Sequence, residues 1–353
     1  MFEDKKPELT PIAKLGEVGL IKHLTSEFTI EAPTTELAIG DDAAILDPQN
    51  KKMVVSTDML AEGVHFNLGY VPLKHLGYKA VVVNLSDIAA MNATPSQILV
   101  SVAVSNRFPV EALEEIYACI ALACQRYKVD LVGGDTTSSK SGLIISITAV
   151  GFEEESKIVK RSGAQPNDLL VVSGDLGGAY MGLQILEREH AVYLANPNMQ
   201  PEMEGYEYIL ERQLKPEART DVKKILEELD ILPTSMIDVS DGLASEILHL
   251  SDQGKVGFRL YEEKIPLDTQ MIVTCDELNI NPTLAALSGG EDYELLFTIK
   301  PSDYEKLRNH PDFTVIGHVV EESEGNYMVL RGSNELSKLT SQGWDAFLSS
   351  KGS

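Results

Sequence analysis

The sequence has little of what a secreted or membrane-bound protein needs. Of its 353 residues only Cys119, Cys124 and Cys275 are cysteines, too few for a disulfide framework, and none belongs to a CxxC pair. No apolar run reaches the roughly 18 residues of a membrane span, and residues 1–25 lack the uninterrupted apolar stretch of a signal peptide. These absences predict a cytoplasmic protein with no membrane partner.

Positive charge is also scarce. Lys and Arg together number 30 against 54 Asp and Glu, which gives a formal net charge of −24. This is the wrong sign for neutralising nucleic-acid phosphates or anionic lipids, so we expect neither as a partner. The same field repels ATP and other phosphorylated substrates, so such a substrate must arrive with a cation or meet one at its site.

The usual phosphate-binding loops are missing as well. The sequence contains no GxxxxGK followed by Ser or Thr, and no GxGxxG that opens a helix after a strand. P-loop, protein kinase and Rossmann classes are therefore excluded. The Gly177-Gly178 pair opens a predicted helix and is open to two interpretations, an anion site at the helix N-terminus or a plain turn.

The pattern of apolar residues predicts an α+β or α/β protein, because runs of strand length alternate with segments of helical period. A prior of roughly 150 residues per domain predicts two domains. We place the boundary in the charged, Gly- and Pro-containing segment 153–167, giving domains 1–155 and 156–353. The predicted strands are 52–56, 129–132, 142–152, 168–173, 235–239, 292–299 and 313–319, and the predicted helices are 76–91, 111–127, 179–189 and 242–250.

The aspartates carry the most information about function. Four short segments, GDDAA, STD, GGDTT and DVSDG, place aspartate directly after an apolar, strand-like run, and Asp87 adds one on the apolar face of a helix. Carboxylates at such positions emerge at a sheet edge, and hard oxygen ligands without Cys or His partners suit Mg²⁺. Any single one of them could instead be a helix cap or turn former.

Together with their neighbours, these segments form an ordered set of motifs. They are GDDAAIL (40–46), STD (56–58), His65, NLSDIAAMNATP (84–95), LVGGDTT (131–137), RSGA (161–164), IDVSDGL (237–243) and SGGEDYELLFTI (288–299). From about residue 11 to residue 347 the chain resembles thiamine-monophosphate kinase, of the aminoimidazole ribonucleotide synthetase superfamily. The resemblance implies a two-domain PurM-like fold, in which an N-terminal mixed sheet with helices forms a homodimer interface and the C-terminal domain is an α/β sandwich.

The resemblance also implies the reaction, which is transfer of the γ-phosphoryl group of ATP to thiamine phosphate to give thiamine diphosphate and ADP. ATP is then a co-substrate, and several Mg²⁺ ions are the cofactor. The implied metal ligands are Asp42, Ser56, Thr57, Asp58, Asp87, Asp135, Asp238 and Asp241. The implied ATP-binding residues are Tyr117, Gly134, Asp135, Arg161 and Ser240, and the implied thiamine phosphate residues are His65, Glu291 and Trp344.

The chemistry of the acceptor agrees with these residue types. Thiamine phosphate is already an oxyanion near neutral pH, since its second pKa is about 6, so the transfer needs no general base. Positioning and neutralisation of charge can supply the catalysis. We therefore expect direct in-line transfer without a phosphoenzyme, and no catalytic acid, base or covalent nucleophile.

Two other functions remain open from the sequence. One is another ATP-dependent activity of the same superfamily, similar to aminoimidazole ribonucleotide synthetase, and the other is a non-catalytic acidic protein that binds Mg²⁺ or nucleotide. Selenophosphate synthetase and the hydrogenase-maturation relative are disfavoured because the first cysteine is Cys119 and the C-terminus has none. Several site residues also have structural interpretations: a turn for His65, a solvated surface for Arg161, a cap for Glu291 and a packing anchor for Trp344.

Overall fold

The computed structural model describes residues 9–39, 43–333 and 335–340. Its α-helices are α1 (Gly16–Thr25), α2 (Leu73–Ala90), α3 (Val110–Tyr127), α4 (Gly178–Ala195), α5 (Glu207–Leu214), α6 (Thr220–Glu228), α7 (Leu243–Gly254), α8 (Thr269–Glu277), α9 (Pro282–Ser288) and α10 (Tyr304–Leu307). Its strands are β1 (Thr35–Leu37), β2 (Ile45–Leu46), β3 (Lys52–Ala61), β4 (Thr94–Ser105), β5 (Asp130–Ser139), β6 (Leu143–Glu153), β7 (Leu169–Ser173), β8 (Ser235–Asp238), β9 (Val256–Tyr261), β10 (Leu295–Ile299), β11 (Phe313–Glu321), β12 (Asn326–Val329) and β13 (Leu336–Lys338). Within these ranges no helix combines the length and the apolarity that crossing a membrane requires.

The chain divides into two compact units. Unit 1 contains the described residues up to Asn84 together with Pro95–Gly151, and unit 2 contains Leu85–Thr94 and the described residues from Phe152 onwards. The two-domain organisation expected from length and composition is therefore present. The sequence alone did not indicate that residues 85–94, which include Asp87, belong to the second unit.

Unit 1 contains a four-stranded sheet with the order β3-β6-β4-β5, in which β4 and β5 run parallel. Helices α2 and α3 bury apolar side chains such as Leu76, Val83 and Ile116. The two helices pack closely at Gly77, where a Cβ atom would lie 2.2 Å from the carbonyl oxygen of Ile116. Any side chain larger than hydrogen at this position would separate the two helices.

Unit 2 contains a seven-stranded sheet with the order β13-β12-β9-β11-β7-β10-β8. The described pairs are antiparallel except β12 with β9, so this unit has α+β rather than α/β character. Alternate residues along the central strands enter two different apolar clusters. Leu170 and Leu296 pack with α7, whereas Val171 and Leu295 pack with α6. Both faces of the sheet are therefore covered.

The predicted strands at Asp58 and Asp135 exist but are longer than predicted. Strand β3 continues to Ala61 and β5 continues to Ser139, so Asp58 and Asp135 lie within strands and not after them. The prediction ended the two strands at Ser56 and Val132, where the apolar residues give way to polar residues and glycine. Both are edge strands of the sheet, where polar side chains are tolerated. Strand β4, which lies between β6 and β5, was not predicted.

Candidate active site

In unit 2, two sequence motifs lie side by side. Strands β8 and β10 pair in register with Asp238 opposite Leu295. The backbone pairing continues beyond the strands, because the N–H of Tyr293 donates to the carbonyl of Val239 at 2.9 Å and the N–H of Glu291 donates to that of Ser240 at 2.7 Å. The segment that carries the metal and nucleotide candidates therefore lies directly beside the segment that carries the thiamine phosphate candidate.

Glycine makes this close approach possible. A Cβ atom at Gly290 would lie 2.3 Å from the carbonyl oxygen of Ser240, and one at Gly242 would lie 2.7 Å from that of Leu287. Gly242 also has a φ of 106°, a conformation that other residues rarely adopt. The GG and DG pairs of the two motifs are thus explained by packing of backbone against backbone.

The clearest metal candidates of this unit are Asp87 and Asp238. Asp238 is 3% exposed, and the hydroxyl of Ser86 donates to its Oδ2 at 2.7 Å. Burial, and next the negative charge of Asp87, raise the pKa of Asp238 to about 8. Two neighbouring carboxylates in a buried environment repel one another, so they favour binding of a proton or a cation. Their donor atoms are all oxygen, which fits Mg²⁺.

Asp241 is half-buried on the same loop. Burial raises the pKa of its carboxyl group, the charge of Glu291 acts in the same direction, and His249 and Arg161 oppose the shift. The positive charge of the exposed Arg161 therefore acts on the acidic loop. The electrostatics bring together Arg161, Asp241 and Glu291, which the sequence had assigned to three different ligands.

Glu246 in the first turn of α7 is a member of this region that the sequence analysis missed. Its Oε1 accepts the backbone N–H of Asp241 at 3.0 Å, and its side chain is 2% exposed. Burial is the main cause that raises its pKa to about 7. The available signal was a glutamate in the first turn of the helix that follows the DG pair.

In unit 1, the three residues of the STD motif occupy consecutive positions of β3. Because side chains alternate along a strand, Ser56 and Asp58 share one face and Thr57 lies on the other. The hydroxyl of Thr57 donates to the carbonyl of Ile147 at 3.1 Å. The side chains of Thr57 and Asp58 therefore do not converge, although the sequence had assigned both as metal ligands.

His65 lies just after β3. Its Nδ1 accepts the backbone N–H of Ala61 at 3.1 Å, which places the proton of the neutral ring on Nε2. His65 therefore lies in a turn, one of the two interpretations that the sequence left open. It is compatible with a role at the substrate, because the same turn makes Nε2 a hydrogen-bond donor.

The nucleotide candidates Gly134 and Asp135 lie in β5. A Cβ atom at Gly134 would lie 1.9 Å from the carbonyl oxygen of Val100 on β4, so this glycine is required by the sheet itself. Tyr117 is 6% exposed, its hydroxyl is hydrogen-bonded to Thr136, and burial raises its pKa to about 12. The ring of Tyr117 is thus a core group whose hydroxyl reaches the strand that carries Asp135.

Asp58 and Asp135 lie on the two opposite edge strands of the sheet. Two strands separate them, which corresponds to roughly 14 Å at about 4.8 Å per strand. Within the described ranges no three His, Cys, Asp or Glu side chains are grouped closely enough to hold a metal ion by themselves. Asp42 and Trp344 lie outside the described residues.

The same region of unit 2 contains a buried charge network that sequence reasoning also missed. Arg212 on α5 donates from Nη1 to Oε1 of Glu294 at 2.8 Å, and Arg219 pairs with the other oxygen of that carboxylate. Burial alone would raise the pKa of Glu294, but the two guanidinium groups outweigh it and lower the pKa. The two arginines are far from Glu294 in sequence, so no local motif marks them.

Comparison with known proteins agrees with this arrangement. Residues 40–152 match the model of the AIR synthase related protein N-terminal domain, and residues 165–329 match that of its C-terminal domain. Thiamine-monophosphate kinase of Aquifex aeolicus is 35% identical over 95% of this chain and 99% of its own length. That of Bacillus subtilis is 32% identical over 94% of this chain and 100% of its own length.

Solved structures give the same result. One described as AaThiL complexed with AMPPCP and TMP superposes with a TM-score of 0.72 at 32% identity, covering 97% of this chain and 99% of the other. A thiamine-monophosphate kinase from Stenotrophomonas maltophilia K279a superposes with a TM-score of 0.75 at 28% identity, covering 90% and 95%. With its motifs, its two units and its full-length similarity, the chain belongs to the thiamine-monophosphate kinase family.

Proposed function

We propose that this chain transfers the γ-phosphoryl group of ATP to thiamine phosphate, giving thiamine diphosphate and ADP. The observation that carries the proposal is the pairing in unit 2 that sets Asp238 and Asp241 beside Glu291. Asp238 and Asp241 are suited to bind the Mg²⁺ that accompanies ATP. Glu291 is suited to bind the positively charged acceptor, and the pairing places it beside them. The similar protein of known structure that is complexed with AMPPCP and TMP supports the same pair of substrates.

Asp87 and Asp238 are the residues of unit 2 that we assign to Mg²⁺. Magnesium sites of nucleotide enzymes use one or two carboxylates together with phosphate oxygens and water, so a pair of aspartates is sufficient. When bound, the ions would neutralise the charge that develops on the transferred phosphoryl group. Ser86 holds Asp238 in place for this role, and Arg161 adds a fixed positive charge near Asp241.

In unit 1 we assign Asp58 and Asp135 to different ions, since the sheet order separates them. Ser56 shares the face of Asp58, while the hydroxyl of Thr57 lies on the other face. His65 would donate from Nε2 to the phosphate of the acceptor, because its Nδ1 already accepts a backbone N–H. Gly134 lets β5 approach its neighbour closely, and Asp42 and Trp344 keep the roles that the family resemblance implies.

The transfer is direct and needs no proton abstraction. The acceptor oxygen is ionised near neutral pH, so the protein has to bring two anions into line and compensate their repulsion. Burial raises the pKa values of Asp238 and Glu246. A bound cation or a nearby positively charged side chain would lower these pKa values again. We assign neither of them as a general base.

We also propose a cytoplasmic homodimer. The cysteines Cys119, Cys124 and Cys275 are free thiols, which suits a reducing compartment. Along β3, the apolar side chains of Met53, Val55 and Met59 are 48%, 56% and 56% exposed on one face of an edge strand. A second copy of this chain would cover this face. Strand β6 lies beside β3 in the sheet.

The assay that tests the function is release of ADP by the purified protein. Release should require ATP, Mg²⁺ and thiamine phosphate together, and mass spectrometry should detect thiamine diphosphate in an amount equal to the ADP. Binding of ATP without turnover would instead identify a nucleotide-binding protein, and turnover with a different acceptor would identify another activity of the superfamily.

Light scattering tests the dimer. The variant Val55→Lys should shift the protein from dimer towards monomer.

A further inference from the structure

The backbone around Glu291 is held in an unusual conformation. Glu291 has a φ of 70° and Tyr293 a φ of 52°, and the residue between them, Asp292, is 1% exposed. Residues other than glycine rarely adopt such values, and they persist only where the surroundings impose them. Contacts with residues outside this turn must therefore hold its backbone in this conformation.

Two consecutive residues of α5 make contacts that fix the turn. The amide Nε2 of Gln213 donates to Oε2 of Glu291 at 2.8 Å, and Gln213 is 5% exposed. Arg212 donates from Nη2 to the carbonyl of Asp292 at 3.3 Å, and its Nη2 lies 3.6 Å from Oδ1 of the same residue. One helix thus holds the carboxylate of Glu291 and the backbone of its neighbour at the same time.

Helix α5 is itself fixed against α4. A Cβ atom at Gly182 on α4 would lie 2.0 Å from the carbonyl oxygen of Ile209 and 2.9 Å from Cβ of Gln213. The carboxylate of Asp292 accepts the N–H groups of Gly177 at 2.6 Å and of Ala179 at 3.1 Å, at the start of α4. The turn contacts α4 and α5, and these two helices contact each other. The three segments therefore restrict one another's movement.

We propose that Gln213 is a positioning residue that orients the carboxylate of Glu291 towards thiamine phosphate. The inference rests on the proposed function, because it needs Glu291 at the acceptor. The thiazolium and aminopyrimidine groups of the acceptor offer a positive charge and N–H donors, and a carboxylate serves either only in a defined orientation. An amide is suited to hold that carboxylate, because it donates a hydrogen bond without neutralising the charge.

The test is Gln213→Leu, assayed for ADP release with each substrate varied in turn. KM for thiamine phosphate should rise about tenfold, as expected when a buried hydrogen bond to a charged group is lost, while KM for ATP changes less than twofold. Thermal unfolding shows whether the variant is folded. If Gln213→Leu does not fold, Gln213→Asn withdraws the amide by one methylene with little loss of volume and should show the same selective rise.

Gln270→Leu is the matched control. The Oε1 of Gln270 accepts the N–H of Ile209 at 3.2 Å, so this variant removes a glutamine hydrogen bond to the same helix without a contact to Glu291. It should leave KM for thiamine phosphate unchanged within twofold. An equal rise in both variants would assign the effect to the placement of α5 and overturn the role of Gln213.

A double-mutant cycle supplies the second criterion. If Gln213 acts through Glu291, the Gln213→Leu change should have little effect on KM in a Glu291→Gln background. Additive effects of the two changes would contradict the proposal. A wild-type protein with no thiamine phosphate-dependent ADP release would refute the proposed function instead, whereas an active wild type with an unaffected Gln213→Leu variant refutes only the positioning role.

Discussion

The candidate site of unit 2 lies among fully buried acidic residues, whereas the described acidic candidates of unit 1 lie on edge strands of its sheet. In unit 2, Asp238, Asp292 and Glu294 are at most 3% exposed, and each accepts hydrogen bonds from the protein. In unit 1, Asp58 is half-buried and Asp135 is exposed, both on edge strands. Carboxylates of the first kind are held in position by hydrogen bonds within the protein, whereas those of the second kind are accessible from solvent.

This difference has a consequence for mutation. Changes in the buried network of unit 2 should alter the stability of the fold together with the activity, because its charges compensate one another out of water. Changes at the edge strands of unit 1 should alter activity alone. Five substitutions, each compared with wild type or with a control variant, test the contrast.

Arg212→Met should have the largest effect on stability. It removes the guanidinium that pairs with the buried carboxylate of Asp292 and one of the two that pair with Glu294, which costs roughly 3–5 kcal/mol of unfolding free energy. Urea denaturation followed by circular dichroism measures the change. Arg308→Met, which breaks an exposed pair with Glu305, is the control and should cost less than about 1 kcal/mol. Equal losses would show that burial of the network is unimportant.

Asp292 should make stability depend on pH. Burial raises its pKa to about 6, from an ordinary value of 3.8, so the folded protein holds this proton more tightly than the unfolded chain does. Its contribution is fully present below about pH 4 and is lost as the pH rises through 6, on the order of 2–3 kcal/mol. The difference in unfolding free energy between wild type and Asp292→Asn, measured from pH 4 to 7, should show this slope. A difference that is constant with pH would contradict it.

Asp238→Asn should change stability and activity in opposite directions, although both effects arise in unit 2. In the presence of a chelator at neutral pH the unfolding free energy should rise by about 1 kcal/mol, because the folded protein no longer has to take up a proton on this buried carboxyl group beside Asp87, while Ser86 keeps an acceptor. Phosphoryl transfer should fall by roughly 10²–10³-fold.

Asp87→Asn should abolish phosphoryl transfer and also leave the fold intact. Asp252→Asn, at an exposed position of α7, is the control, and unchanged activity in either site variant would remove that residue from the metal site.

Asp58→Asn should have the smallest effect on stability, within about 0.5 kcal/mol, because the side chain is half-buried on an edge strand. The backbone N–H of residue 58 keeps its bond to Asn84 in the variant. Activity should nevertheless fall by roughly 10²-fold, measured as ADP release. A loss of stability as large as that of Arg212→Met would remove the contrast between the units.

The sequence was informative wherever a residue acts through its own local motif. The helix that carries Asp87, the two-domain α+β class and the family followed from periodicity and ordered motifs, and the fold and the comparisons confirmed them. The ends of β3 and β5 were misjudged because apolar content alone defined a strand. The ligand roles of the individual site residues stay predictions.

By itself, therefore, the sequence determined the family of this protein through the order of its motifs, and it predicted acidic oxygen ligands in the absence of a P-loop or Rossmann motif. Only the tertiary structure decided how those groups are held. Gln213 and Glu291 are 78 residues apart in the chain, and Arg212 is 82 from Glu294. Such contacts depend on how helices pack, which no local pattern encodes, and they hold these carboxylates in fixed orientations.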